Sequence, residues 1–127
     1  MSRMPEVKSN IVLKRVYDKA AQSDGCRILV DRLWPRGITK ERAALDEWMK
    51  EIAPSEALRK TFHGGSINFS EFKEKYMNEL SSGDKQQFLV GELRKLAERG
   101  KVTLLYGSKN PTDNHVLILL QYINGGE

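Results

Sequence analysis

Two nearly uninterrupted apolar runs, Ile28-Leu29-Val30 and Val102–Tyr106, constrain this chain most. A strand that is apolar at successive positions, not at every second one, is buried on both faces. Such strands belong to sheets covered by helices, and amphipathic helical segments separate the two runs here. An earlier strand is expected at Val12–Tyr17, where β-branched residues mix with Lys14 and Arg15, and a further one at Arg27–Asp31. Between them Ser23-Asp24-Gly25 signals a turn. That connection is short for a parallel crossover, which usually takes about a dozen residues or more. Locally an antiparallel hairpin is simpler, whereas a helical turn at Asp18–Gln22 would permit a crossover.

Helices follow. Thr39 caps a segment expected to run to about Ile52, with Leu45, Trp48, Met49 and Ile52 on one face. Pro54-Ser55 ends it and starts a short successor through Phe62, closed by His63-Gly64-Gly65. Asn68 and Glu71 form a capping box, with Ile67 and Phe72 as its hydrophobic staple. That helix buries Phe69, Phe72, Tyr76 and Leu80. The next buries Phe88, Leu89, Leu93 and Leu96 and stops at Gly100. Asn110-Pro111 reads as N-cap and first residue of a last helix, although Val116–Leu120 also suits a strand. The pattern predicts a small, mostly parallel, Rossmann-like α/β sheet covered by helices, one domain over 1–127 with a flexible N-terminus over 1–10.

Composition narrows the function classes. No apolar run reaches the roughly 18 residues of a membrane span, and residues 1–8 lack the apolar core of a signal peptide. The single cysteine, Cys26, excludes an internal disulfide, and a reducing cytoplasm is the expected compartment. The net charge of +4 concentrates early: residues 11–42 hold eight Lys/Arg against four Asp/Glu. A local positive field attracts phosphates, nucleotides, nucleic acid or acidic metabolites. His63 and His115 have no metal-ligand spacing, so no metal is expected, and no sequence pattern names a cofactor. Phosphate-binding loops of the Walker and GxGxxG kinds are absent, as are HExxH and GxSxG.

In open α/β sheets ligands bind beyond the carboxyl ends of the strands. Here those ends carry Asp31-Arg32-Leu33-Trp34-Pro35-Arg36-Gly37 and Gly107-Ser108-Lys109-Asn110. Parallel strands would bring Asp31, Arg32, Arg36, Lys109, Asn114 and His115 into one cleft. Arg32, Arg36 and Lys109 would grip an anion, since a guanidinium offers paired donors to phosphate or carboxylate. Trp34 offers a stacking face, and backbone N–H groups over 112–114 a helix N-terminus for an anion. Asp31 is the acid–base candidate.

The string Asp24-Gly25-Cys26-Arg27-Ile28-Leu29-Val30-Asp31-Arg32-Leu33-Trp34-Pro35-Arg36-Gly37 resembles the hallmark of the YeaO-like family, a branch of the domain of unknown function 488 (DUF488) proteins. Lys14-Arg15-Val16-Tyr17, Leu58-Arg59, Phe62-His63, Thr103-Leu104-Leu105-Tyr106, Lys109 and Asn114-His115 extend the likeness over about residues 11–120. Cys26 departs from it, because the family usually has an aromatic residue there. The resemblance implies a small bacterial or archaeal Rossmann-like protein with its first two strands parallel. It also implies work on nucleotides or nucleic acids, without naming a reaction. Two readings stand. One is an enzyme or former enzyme that recognises a phosphate-bearing nucleotide or base in a basic, Trp-containing pocket. The other is a non-catalytic module for nucleic acid or a protein partner, with Asp31 and its arginines as a structural cluster. Oligomeric state is not written in the sequence.

Overall fold

The computed structural model describes residues 10–125. Four parallel strands, β1 (Ile11–Arg15), β2 (Cys26–Leu29), β3 (Glu47–Trp48) and β4 (Val102–Tyr106), form one sheet in the order β1-β4-β2-β3. β4 is the hub: Val102 and Leu104 pair with Ile11 and Leu13 on one side and with Cys26 and Ile28 on the other. β1 and β2 therefore make no hairpin. Their connection returns along the sheet through Tyr17–Gly25, helped by a 3-10 turn at Gln22–Asp24, and leaves one strand's width for β4. A five-residue strand is only about 17 Å long, so this extended connection spans it without a full crossover helix.

The helices are α1 (Lys40–Ala43), α2 (Glu56–His63), α3 (Phe69–Ser82), α4 (Asp84–Arg99) and α5 (His115–Gly125). Alternation along β2 and β4 divides the core. Ile28, Val30 and Leu104 face the larger cluster, which includes Phe72, Tyr76, Leu80, Leu93, Ile118 and Leu119 of the helices. Leu29 and Leu105 face a smaller cluster of Val16, Ile38 and Ala43, with Trp34 and Trp48 packed against it. Both sheet faces are thus covered, as the apolar runs require.

The segment expected as one helix over 39–52 is instead α1, β3 and a 3-10 turn at Lys50–Ile52. Ala44 adopts φ 47°, a left-handed geometry that ends α1. Beyond it the edge of β2 takes the backbone: Asp46 N–H donates to Arg27 O and Met49 N–H to Leu29 O. Only Trp48 and Met49, adjacent at the end of β3, take opposite faces by strand alternation; Leu45 and Ile52 reach the two clusters from the flanking turns. Leu45 and Trp48 pack on the smaller cluster, Met49 and Ile52 in the larger.

Two other expectations change. Phe88 is 62% exposed, while Val90 and Ala97 join Leu89 and Leu93 on the buried face of α4. The last helix begins at His115, not Pro111. Asn110 Oδ1 accepts from the N–H groups of Thr112 and Asp113 in a turn, and Asn114 Oδ1 accepts from Leu117 N–H as the cap of α5. The capping box at Asn68 and Glu71 forms as the sequence predicts, and of the expected stripe Phe72, Tyr76 and Leu80 are buried while Phe69 is half-buried against the core. Of the N-terminal stretch expected to be flexible, only Asn10 lies within the described residues.

At the amino ends of the strands sits a buried ion cluster. Asp24 accepts from Lys14 Nζ at 3.0 Å, Arg27 Nη1 at 2.5 Å and Ala21 N–H at 2.9 Å. Arg27, only 4% exposed, also donates to Ala43 O and Ala44 O, and so ties β2 to the end of α1. Burial raises the Asp24 carboxyl, but the Ala21 N–H bond and its bonds to Lys14 and Arg27 outweigh this and hold it at about 2.

Candidate functional site

At the opposite end of the sheet, β2 and β4 run out side by side. Val30 N–H donates to Leu105 O, and the chain then turns at Asp31. Trp48 Nε1–H donates to Asp31 O at 2.7 Å, which fixes that turn from the edge strand. Gly107 N–H, one residue past β4, donates to Asp31 Oδ2 at 2.8 Å. A Cβ at Gly107 would stand 3.2 Å from that oxygen, so the bond depends on the glycine's lack of a side chain. Arg15 secures the same loop from the end of β1: its Nε donates to Ser108 O at 2.9 Å and its Nη2 to Gly107 O at 3.0 Å.

His115, the first residue of α5, meets this carboxylate. Its Nε2 lies 2.8 Å from Val30 O and 3.3 Å from Asp31 Oδ1. A carbonyl only accepts, so the bond to Val30 requires the imidazole proton on Nε2. Burial raises the Asp31 carboxyl above the ordinary range, opposed by His115 and the Gly107 N–H.

Asp31 and His115 open onto a cavity of about 260 Å³. Arg32, Arg59, His63, Ser108, Asp113 and Asn114 supply its other polar lining; Leu33, Ala53, Pro54, Phe62 and Phe72 supply the apolar part. Arg32 is anchored by Nε to Pro54 O at 2.9 Å and Nη2 to Ala53 O at 3.1 Å, with Glu51 at 3.5 Å. Phe62 and Phe72 stack with centroids 4.4 Å apart. Beneath them Tyr76 is fully buried and donates to Ile52 O at 2.7 Å. Two buried side-chain polar atoms among the described residues have no hydrogen-bond partner, Asp31 Oδ1 and Arg59 Nε, and both residues line this cavity.

The cavity thus gathers four of the seven residues singled out from sequence: Asp31, Arg32, Asn114 and His115. Trp34, Arg36 and Lys109 are not among its lining residues. Trp34 Nε1–H donates to Ile38 O at 2.7 Å, and its ring meets Trp48 edge-on with centroids 5.4 Å apart, on the smaller cluster. Arg36 is exposed and its carbonyl accepts from Tyr17 Oη; Lys109 is exposed. The N–H groups of Thr112 and Asp113, expected to face an anion, are taken by Asn110. No Asp31–arginine pair forms among the described residues; the carboxylate accepts from Gly107 N–H and lies 3.3 Å from His115 Nε2 without a hydrogen bond.

Ser108 lines the cavity as its place after β4 implies, whereas Arg59, Phe62, His63 and Phe72 come from outside the residues that the sequence points to. Arg59, Phe62 and His63 stand at i, i+3 and i+4 on α2, one helix face. That spacing is legible in sequence, but nothing local says that this face turns toward the ends of β2 and β4.

Fold and site define a small α/β protein with an all-parallel sheet and a ligand-sized cavity at the strands' carboxyl ends. The chain belongs to the DUF488 proteins of YeaO-like kind: residues 10–126 match the family described as the inactive DUF488-N3 subclade. It is 52% identical over 114 residues to the uncharacterized protein YeaO of Escherichia coli (strain K12), covering 90% of this chain and 96% of that one. It is 36% identical over 118 residues to the uncharacterized protein Rv3073c of Mycobacterium tuberculosis (strain ATCC 25618 / H37Rv), covering 93% and 97%. The uncharacterized protein Mb3100c of Mycobacterium bovis matches to the same extent. No solved structure matches the chain. Among the described residues, no helix is long and apolar enough to cross a membrane.

Proposed function

We propose that this protein binds a small phosphate-bearing ligand of nucleotide kind in the cavity between α2 and the ends of β2 and β4, without transforming it. The carrying observation is an arginine, Arg59, on the wall of the cavity. A guanidinium is always charged and offers several N–H donors to a phosphate oxygen. Arg32 adds a second guanidinium to the lining. The volume, about 260 Å³, lies just below the roughly 300–1,000 Å³ of drug-sized sites, which suits a small ligand of base or mononucleotide size.

Binding without turnover is supported by two points. The family description carries the word inactive. The Nε2 proton of His115 is committed to Val30 O, so that nitrogen is not a free base toward a ligand.

The test is a thermal-shift panel on the full chain with inorganic phosphate, mononucleotides, free bases and short oligonucleotides. A mononucleotide should raise the melting temperature with its concentration, and Arg59→Ala should abolish the shift. A shift with oligonucleotides alone, lost as salt rises, would replace this reading with a nucleic-acid surface. Absence of any shift refutes it. Conversion of the bound nucleotide on long incubation would refute the claim of no turnover.

A further inference from the structure

Resting on that reading, we infer that His115 recognises the ligand through Nδ1, as an unprotonated acceptor, so that the cavity takes ligands presenting a hydroxyl or N–H donor beside their phosphate. The two nitrogens of the ring differ. Nε2 lies 2.8 Å from Val30 O, and a carbonyl only accepts, so the proton of the neutral imidazole sits on Nε2. The Asp31 carboxylate, 3.3 Å from the same nitrogen, favours the proton on that side of the ring. Gly107 N–H, donating to Asp31 Oδ2, holds the carboxylate there. Nδ1 is left with its lone pair.

That lone pair is open. The side-chain polar atoms enclosed without a partner among the described residues are Asp31 Oδ1 and Arg59 Nε. Nδ1 has no partner among the described residues either, yet it is not one of the enclosed atoms. The imidazole side chain is 16% exposed and lines the cavity, with the Tyr76 ring edge-on to it at 6.1 Å. An anionic oxygen against Nδ1 would set lone pair against lone pair. The phosphate therefore belongs at Arg32 and Arg59, whose guanidinium groups only donate, and a sugar hydroxyl or a base N–H belongs at His115.

The test reads the two nitrogens directly. Long-range nitrogen–proton correlation is recorded on the nitrogen-15-labelled full chain at pH 8; there are two histidines, and His63→Asn assigns them. His115 should carry its proton on Nε2. A ribonucleoside 5′-monophosphate that binds should move Nδ1 upfield, as an accepted hydrogen bond does, and leave Nε2 in place. Sulfate, a tetrahedral anion without a proton, should move neither. The 2′,3′-dideoxy nucleotide separates the two donors: a retained shift assigns the base N–H, a lost one the sugar hydroxyl.

His115→Gln adds a measurement of affinity. Its amide can still donate to Val30 O, but the Nδ1 acceptor is gone. A neutral hydrogen bond corresponds to about three- to tenfold in affinity, so titration calorimetry should show nucleotide binding weakened by that factor, with the melting temperature within a few degrees of wild type. The wild-type spectra stand if the variant folds poorly. A proton found on Nδ1, an Nδ1 signal unmoved at nucleotide saturation, a shift toward the doubly protonated ring with sulfate, or wild-type affinity in a folded His115→Gln would each overturn this inference and leave the proposed function intact. Binding of none of the four ribonucleotides, by a wild type that melts cooperatively, would overturn both.

Discussion

Replacing Asp24 by Asn tests the physical account of the buried ion cluster. The substitution is isosteric and removes only the charge. It leaves the Arg27 guanidinium, 4% exposed, opposite an amide, and takes from Lys14 its partner at 3.0 Å. Breaking a buried pair by removing one member costs about 3–5 kcal/mol, because the remaining charge stays buried without compensation. The carbonyls of Ala43 and Ala44 still accept from Arg27 and temper the loss, so the lower half of that range is expected. With an unfolding entropy near 2.1 cal/mol/K per residue, a loss of about 3 kcal/mol lowers Tm by roughly 12 °C. The pH dependence follows from the depressed carboxyl at about 2. Folding favours the ionised form, so the stabilisation is complete above the ordinary pKa of 3.8 and is lost as pH falls toward 2. Urea unfolding of wild type and Asp24→Asn at pH 7 and pH 2.5 measures this. The gap between the two proteins should be near 3 kcal/mol at pH 7 and shrink markedly at pH 2.5. A gap below about 1 kcal/mol at pH 7, or one equal at both pH values, would refute the reasoning.

Three further outcomes follow from the site. Gly107→Ala places a Cβ 3.2 Å from Asp31 Oδ2 and should cost about 1–2 kcal/mol by urea unfolding while weakening nucleotide binding. Unchanged binding would show that the Gly107–Asp31 contact does not shape the cavity. Tyr76→Phe removes the buried bond to Ile52 O and should cost about 1–2 kcal/mol, which thermal melts would detect. Arg15→Met releases Gly107 O and Ser108 O; faster amide hydrogen exchange over 107–114, with β4 protection unchanged, is the expected sign.

Much of the fold was legible where local and global demands agree. The runs Ile28-Leu29-Val30 and Val102–Tyr106 had to be buried on both faces, and all but the terminal Tyr106, half-buried, are. The capping box at Asn68 and Glu71 needs only its own four residues. The segment over 39–52 was misread because Leu45, Trp48, Met49 and Ile52 satisfy a helical spacing, while the open edge of β2 supplies acceptors for a strand. No local pattern reports that edge. The direction of β2 relative to β1 was equally non-local, since β4, some seventy residues later, separates them.

The candidate site divides along the same line. Asp31 and His115 were reachable from sequence because each follows an apolar strand, and a parallel sheet brings the carboxyl ends of those strands together. Arg59 and Phe62 were not, because α2 reaches the cavity only through packing of α3 on the sheet. Trp34 and Arg36 share the Asp31 segment, yet the turn after Asp31 carries them to the other face, where Trp34 closes the smaller cluster.

The two buried carboxylates at opposite ends of β2 show what that division means energetically. Asp24 is surrounded by donors, and its carboxyl is depressed to about 2. Asp31 keeps an oxygen without a partner, and burial holds its carboxyl above the ordinary range. A depressed carboxyl stabilises the fold above its unfolded pKa, whereas a raised one opposes it there. The chain therefore uses one end of the strand to secure the sheet and tolerates strain at the other. A group that stability alone would select against is retained on the wall of the cavity that Arg32 and Arg59 also line. That cost, kept on the wall of a cavity with two arginines in its lining, is the physical argument that the cavity is built for a ligand and is not a packing defect.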